Sequence, residues 1–357
     1  RFVISTVTPT GNKVARSVSG GRAEVIYFPV DISWITRRVV TLLNPRLILL
    51  METELWPNLI LSAKKNSTKV AVVNGRLSPK SFRSYYRFQQ LLYPVLRRVD
   101  VYLAQTQRYA KRLERIGVPA DRIHVTGNMK FDGITGKAAD DEGLADLRSK
   151  YSFDRSKRYV LGASTHPGEE GFLLEVYSRL RQEFSDVRLM LVPRHIERVN
   201  DIAAEVDTYG YSFSVADGRS LNEGLRVKES RDPDRDVTVV NTIGELSLLY
   251  GIAEVVFMGG SLIKHGGQNP LEAVAFKKPV ISGPHTFNFP GIFDELEKLE
   301  ALTVVRTVDD CTSSLRDLLR DSERVSAQGE KAFAWLEKHR GASRRNVQYV
   351  EELLITV

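Results

Sequence analysis

The stretch VVFMGGSLIKHGGQNPLEAVAFKKPVISGPHTFNF, Val255–Phe289, decides how the rest of the chain is read. Its apolar start ends in Gly259-Gly260, as a buried strand emptying into a loop does. A second pair follows, Gly266-Gly267, then Gln268, Asn269 and Pro270, then an amphipathic run from Leu271 to Phe276. Asn269 suits an N-cap and Pro270 the first helical position. Glycines let backbone N–H groups approach a ligand closely, and a helix start favours negative charge, so the stretch suits a phosphate. Glu272, three residues after Asn269, fits two roles. It is a capping-box carboxylate, or it holds both hydroxyls of a ribose beside that phosphate.

On either side of this stretch, short apolar runs alternate with helical ones. Phe2 to Ser5 reads as a buried strand, and Glu24 to Phe28, Leu47 to Met51, Val70 to Val73, Val101 to Ala104 and His124 to Thr126 as further strands. Gly136 to Arg148 is polar and acidic, a change of texture that reads as a linker. A second series has strands at Tyr159 to Gly162, Arg188 to Val192 and Val237 to Val240, and a helix at Phe172 to Phe184. Ser220 to Arg235 is charged and poor in apolar residues, which predicts a mobile excursion. The tail, Ala327 to Leu354, reads as helices. Alternating strands and helices predict an α/β chain of two Rossmann-like domains, each with a parallel, helix-covered sheet. Ligands then belong at the C-terminal strand ends.

The composition narrows the partners. The chain has 357 residues and a formal net charge of +7, which favours an anionic partner. One cysteine, Cys311, excludes an internal disulfide. The six histidines include no pair at zinc-ligand spacing, and no apolar run is long enough to span a bilayer. Between Glu54 and Asp100 there is no acidic residue, while Lys64, Lys65, Lys69, Arg76, Lys80, Arg83, Arg87, Arg97 and Arg98 all fall there. Tyr85, Tyr86, Phe88 and Tyr93 are interleaved with them. Such a face fits an anionic membrane surface or a phosphorylated lipid, and without a nucleic-acid motif it does not point to nucleic acid.

Several polar residues stand at predicted strand ends. Glu52 and Glu54, two apart after Met51, would share one side of a strand, as acid, base or hydroxyl anchor. Arg194 and His195 follow a strand and suit a phosphate or carboxylate, with Ser164, Thr165 and His166 as neighbouring donors. Lys130 and Asp132 end the last strand of the first domain and should face the cleft between the domains.

Eight segments together resemble one family, the 3-deoxy-D-manno-octulosonic acid (Kdo) transferases of lipopolysaccharide assembly, with the GT-B fold. They are METELWPN (Met51–Asn58), NGRLSPKS (Asn74–Ser81), VTGNMKFD (Val125–Asp132), STHPGEE (Ser164–Glu170), LVPRH (Leu191–His195), GELSLLYGIAEV (Gly244–Val255), GGSLIKHGGQNPLEA (Gly259–Ala273) and GPHTFNF (Gly283–Phe289). The resemblance implies an N-terminal acceptor domain over 1–148, a CMP-Kdo domain over 149–326, and helices over 327–357 returning to the first domain. It implies transfer of Kdo from CMP-Kdo to a lipid A precursor, with inversion, without metal or cofactor, by a protein on the cytoplasmic face of the bacterial inner membrane. Donor binding is implied for Ser164, Thr165, His166, Arg194, His195, Gly244, Glu245, Gly266, Gly267, Gln268, Asn269 and Glu272. Acceptor binding is implied for Glu52, Arg76, Lys80, Arg83, Asn128 and Lys130, with Glu54 near the reacting hydroxyl. The family's general base, in a Ser-x-Gly-Glu motif of a first βα unit, is expected N-terminal to Arg1, so the first domain reads as incomplete. Two other readings compete: a nucleotide-sugar epimerase of similar fold, and a truncated chain that binds nucleotide or lipid without turnover.

Overall fold

The computed structural model of the chain describes residues 1–134, 141–215, 234–242, 244–289 and 291–355. The chain divides into two compact units, Arg1–Asp132 with Arg340–Val357, and Gly133–His339. The sequence reading put the changes of domain near residues 148 and 326, and packing moves both. Helix Asp141–Lys150, most of which falls in the expected linker, belongs to the second unit, where Leu144 lies against Gly251. Helix Ser322–His339 also belongs to the second unit, with Gly329 pressed onto the backbone of Lys277. Residues 136–140 of the expected linker and 220–233 of the expected excursion lie outside the described residues. Arg235, at the end of that excursion, is buried, and its guanidinium bonds the hydroxyl of Thr238 at 3.1 Å.

In the first unit, β1 (Phe2–Thr6) pairs with β2 (Ala23–Tyr27), and β3 (Leu47–Met51), β4 (Lys69–Gly75), β5 (Val101–Ala104) and β6 (Ile123–Val125) form a separate sheet in that order. Every pairing is parallel. β4 and β5 are buried on both faces, as their unbroken apolar runs require. β1 is not the buried strand its sequence suggests: Phe2 is 75% exposed. β1 and β2 form a two-stranded sheet of their own, and helix Pro9–Ser19, which packs on β1, leaves Phe2, Val3 and Ile4 exposed. The last helix, Ala342–Ile355, lays Tyr349, Val350 and Leu353 against Ala71, Val73, Val101 and Leu103. Asp132 anchors its start by accepting from the backbone N–H groups of Gly341 at 2.6 Å and Ser343 at 2.5 Å.

The second unit is built on seven parallel strands. They are β7 (Arg158–Thr165), β8 (Val187–Pro193), β9 (Phe213–Val215), β10 (Val237–Val239), β11 (Ala253–Met258), β12 (Val280–Ser282) and β13 (Leu302–Val304), in the order β13-β12-β11-β7-β8-β10-β9. The chain builds outward from β7 through β8, then crosses back to place β11 on the other side of β7. The direction of winding therefore reverses between β7 and β11, and in open α/β sheets that is where a ligand crevice forms beyond the strand ends. Helix Glu169–Arg181 and its neighbours bury Leu173, Leu174, Tyr177, Ile202 and Leu315 against the sheet.

Candidate functional site

The loops leaving β7 and β11 are joined by one carboxylate. Glu169 is fully buried. Its Oε2 accepts the N–H groups of His166 (3.0 Å) and Gly260 (2.6 Å), and its Oε1 those of Ser261 (2.9 Å) and Leu262 (3.0 Å). The next carboxylate, Glu170, is equally buried and takes a bidentate contact from Arg198 at 2.8 and 3.2 Å. Gly259 passes so close to the β7 end that an added Cβ would stand 2.3 Å from the carbonyl oxygen of Ser164. Ser164 itself has φ +53°, a strained conformation for a residue other than glycine, at a strand end where β7 also slips register against β8. Glu169 was not among the residues the sequence singled out. Beyond its place in the STHPGEE segment, its signal was an acidic pair after a Pro-Gly turn, which does not by itself reveal a buried acceptor of four N–H groups.

Around this joint the donor-side candidates gather. His166 is buried, 4% exposed, with the amide nitrogen of Gln268 3.2 Å from its Nε2. The ring of His265 lies 4.0 Å from it, centroid to centroid, and that of His195 lies edge-on at 5.9 Å. Burial, with the neighbouring His265 and His195, lowers the His166 pKa to about 4, so its ring is neutral. Arg194 is exposed; its N–H bonds the carbonyl of Thr165 at 2.9 Å, and its guanidinium has no partner among the described residues. Thr165 is fully buried and its hydroxyl is unbonded among the described residues.

The glycine turn differs from the sequence reading in one respect. Gly266 and Gly267 do take positive φ, +101° and +74°. However, the N–H of Gly267 donates to the carbonyl of Gly260 at 2.7 Å and that of Gln268 to Gly259 at 3.1 Å. Those two donors hold the loop together and are not offered to an anion. The N–H groups of Gly266 and Asn269 donate to nothing among the described residues. The helix that follows, Leu271–Ala275, has five residues, too short for a large dipole, and its N-cap is Pro270. The Asn269 side chain accepts from the N–H of Leu271 at 3.2 Å.

Glu272 sits in the first turn of that helix, half-buried, with no hydrogen bond or ion pair among the described residues. No capping box forms, so one of its two expected roles is gone. Burial raises its carboxyl pKa above the ordinary value. Glu245, expected at the donor, is instead engaged by Lys150, Tyr151 and the hydroxyl of Thr242. Gly244 precedes it in a positive-φ turn, φ +93°; Ile243, between Thr242 and Gly244, lies outside the described residues.

In the first unit Glu52, Glu54, Arg76, Asn128 and Lys130 follow β3, β4 and β6, while Lys80 and Arg83 lie on helix Pro79–Arg87. The pairing of Glu52 and Glu54 on one side of a strand does not hold. β3 ends at Met51, Glu52 has φ +57°, and Glu54 lies in a turn closed by its N–H to the Met51 carbonyl at 3.4 Å. That turn is tied to the next one, since the N–H of Arg76 donates to the Thr53 hydroxyl at 3.0 Å. Tyr85, whose hydroxyl reaches the Thr53 carbonyl at 3.3 Å, has its pKa raised by burial and by the charge of Glu54. Asn128 caps its own turn by accepting from the N–H of Lys130 at 3.0 Å, and Lys130 is exposed. Asp132, expected to face a cleft, has its carboxylate taken up by the backbone N–H groups of Gly341 and Ser343. Burial opposes its ionisation, but the N–H groups of Ser343 and its neighbours outweigh it and lower its pKa.

The basic run separates into two kinds of residue. Lys64 is paired with Asp100 at 2.7 Å, Arg97 bonds the Tyr93 hydroxyl at 2.7 Å, and Arg98 bonds the Pro94 carbonyl at 2.6 Å. Lys80, Arg83 and Arg87, on helix Pro79–Arg87, are exposed and unpaired among the described residues. Helix Gln89–Leu96 follows, and Phe88 (54%) and Leu91 (77%) stand exposed beside them.

Among the described residues no cluster of His, Cys, Asp and Glu is placed to hold a metal ion, and no helix is long and apolar enough to cross a membrane. Cys311 is buried, which with the charge of Asp310 pushes its thiol pKa up to about 12. A cavity of about 740 Å³ is lined by Glu295, Lys298, Leu299, Lys331, Ala334, Trp335, Lys338 and His339. It includes none of the candidate residues. Glu295 there accepts from the Trp335 indole at 3.0 Å.

Comparison with known proteins separates readings that fold alone leaves together. A solved glycosyltransferase from Rickettsia africae ESF-5 superposes with a TM-score of 0.62 at 14% identity, covering 99% of this chain and 90% of that one. A UDP-N-acetylglucosamine 2-epimerase does so with a TM-score of 0.60 at 13% identity, covering 98% and 96%. Both share the GT-B arrangement of parallel α/β sheets, so the fold does not distinguish transferase from epimerase. Sequence does. The family profile described as 3-Deoxy-D-manno-octulosonic-acid transferase (kdotransferase) matches residues 1–133. The 3-deoxy-D-manno-octulosonic acid transferase of Haemophilus influenzae is 34% identical over 355 residues, covering 99% of this chain and 80% of its own length. The chain belongs to the 3-deoxy-D-manno-octulosonic acid transferase family.

Proposed function

We propose that the chain transfers Kdo from CMP-Kdo to a lipid A precursor, with inversion and without metal or cofactor, at the anionic cytoplasmic face of an inner membrane. The observation that carries the donor half is Glu272. A half-buried carboxylate with no partner among the described residues, beside a glycine turn, suits a pair of ribose hydroxyls. The acceptor hydroxyl oxygen bonds to the anomeric carbon of Kdo as the bond from that carbon to the CMP phosphate oxygen breaks. The electron pair leaves on the phosphate, and the hydroxyl proton passes to a base. Arg194, exposed at the end of β8, meets the charge of the departing phosphate. Glu54, in the turn after β3, lies near the acceptor hydroxyl, and Glu52, Arg76, Asn128 and Lys130 surround the acceptor's sugar and phosphate groups. The deciding experiment incubates the protein with CMP-Kdo and a lipid A precursor and follows CMP release and the glycolipid product. Turnover supports the reading. CMP binding without turnover supports a binding-only chain, and a preference for UDP over CMP supports an epimerase.

The acceptor half rests on the basic face. Lys80, Arg83 and Arg87 project with Phe88 and Leu91, cations beside apolar tips, a combination suited to anionic headgroups over acyl chains. Each cation near such a surface contributes on the order of 1 kcal/mol, and salt screens it. Replacing Lys80, Arg83 and Arg87 together by Ser is expected to weaken co-sedimentation with anionic liposomes at low salt and to raise the acceptor KM. CMP affinity should stay unchanged. Equal liposome binding by the two proteins at low salt would leave this face as ordinary solvated surface.

A further inference from the structure

Three imidazoles converge where the β7, β8 and β11 loops meet, and they are not equivalent. The middle one, His166, is buried and accepts from Gln268 at Nε2, so its proton sits on Nδ1. It stays neutral through the physiological range and cannot supply charge to a ligand. The outer two, His265 and His195, are exposed. His265 lies over the His166 ring at 4.0 Å, and its loop is clamped: the Asn288 amide donates to the carbonyls of His265 at 3.0 Å and Gly267 at 3.3 Å. The His265 main chain is thereby held next to the positive-φ glycines Gly266 and Gly267.

The surrounding charges leave His265 without a counter-ion. Of the carboxylates nearby, Glu169 is occupied by four backbone N–H groups and Glu170 by Arg198. Glu197 stands 3.6 Å from His195, not from His265. Glu272, in the helix start after the same glycine turn, forms no ion pair with His265 among the described residues, and the other titratable groups on the adjoining loops are cationic or imidazole: Lys264 on its own loop, Arg194 after β8, and His285 after β12. A protonated His265 has no carboxylate partner among the described residues, and a bound anion would provide one.

We propose that His265 is an anion-contacting residue of this site, meeting the phosphate of the nucleotide donor as an imidazolium while His166 holds the Gln268 amide in place. The inference rests on the reading of this site as the CMP pocket. An anion raises the pKa of the imidazole it contacts. The contribution to affinity is therefore present at low pH and is lost as pH rises through the bound value.

The test is calorimetric titration of CMP into wild type, His265→Asn and His265→Lys from about pH 5.5 to about 8.5. The ionisation of CMP itself is common to all three proteins and cancels in the ratio of their Kd values. For His265→Asn over wild type, that ratio is expected to be roughly tenfold at the acid end and to approach one at the alkaline end. His265→Lys, cationic throughout, should keep wild-type affinity at the acid end and bind more tightly than wild type at the alkaline end. A His265→Asn ratio that does not change with pH, with CMP still bound by wild type, overturns the inference and leaves His265 as packing on His166. Absence of CMP binding to wild type overturns both the inference and the pocket on which it rests.

Discussion

Glu169→Gln is expected to unfold at a markedly lower temperature than wild type and to bind CMP at least tenfold more weakly. The carboxylate accepts four backbone N–H groups from two loops at 2.6–3.0 Å, with no solvent to replace any of them. The amide keeps the shape but has one accepting oxygen, so its NH₂ must face two of those four donors. Each buried donor left unsatisfied costs about 1–3 kcal/mol, so two cost about 2–6 kcal/mol. Against a total stability of roughly 5–15 kcal/mol this is large, and a fall in Tm on the order of 10 °C follows. Affinity falls with it, because the β11 loop that carries Gly266, Gly267 and Gln268 loses its anchor to the loop of His166. Thermal unfolding and CMP titration check both halves. A variant matching wild type in Tm and Kd would show that the four bonds do not organise the site.

The long elements were legible because their signals were local. The alternating apolar runs of β4, β5, β7, β8 and β11 are buried parallel strands, and such strands read as continuous apolar stretches. β9, β12 and β13 were not read; each is three residues long and depends on neighbouring strands for its cover. Phe2 to Ser5 was misjudged for the opposite reason: composition says apolar, but covering depends on partners that sequence does not display. At the candidate site, residue types at strand ends pointed to the loops after β7, β8 and β11, which the structure brings together. Which N–H groups of the glycine turn are already used, and which carboxylates already have partners, was not readable. Glu169, Glu245 and Glu272 are alike in sequence. One is saturated by backbone, one by side chains, and one is left open, and only packing tells them apart.

Glu272→Ala is expected to weaken CMP binding by about ten- to a hundredfold while leaving the fold intact. Hydrogen bonds to a charged group are worth roughly 1.5–3 kcal/mol, and a ribose offers two hydroxyls to one carboxylate. Stability should not fall, because Glu272 makes no hydrogen bond or ion pair among the described residues and its burial already penalises the charged form. The pH dependence has a definite sign. Desolvation raises the carboxyl pKa in the free protein, and hydroxyls donating to the carboxylate lower it on binding. The contribution to affinity is therefore fully present above the raised free value and is lost as pH falls through it towards the bound value. In wild type, binding near that free value should release a proton, measurable as a buffer-dependent heat in calorimetry. Glu272→Ala should abolish that release and bind with the same weak Kd on both sides of that value, once the ionisation of CMP is allowed for. This slope runs opposite to the one expected for His265, so the two residues are separable in a single pH series. A Glu272→Ala protein that loses Tm but keeps its CMP affinity would assign the carboxylate to the helix start and not to the ribose.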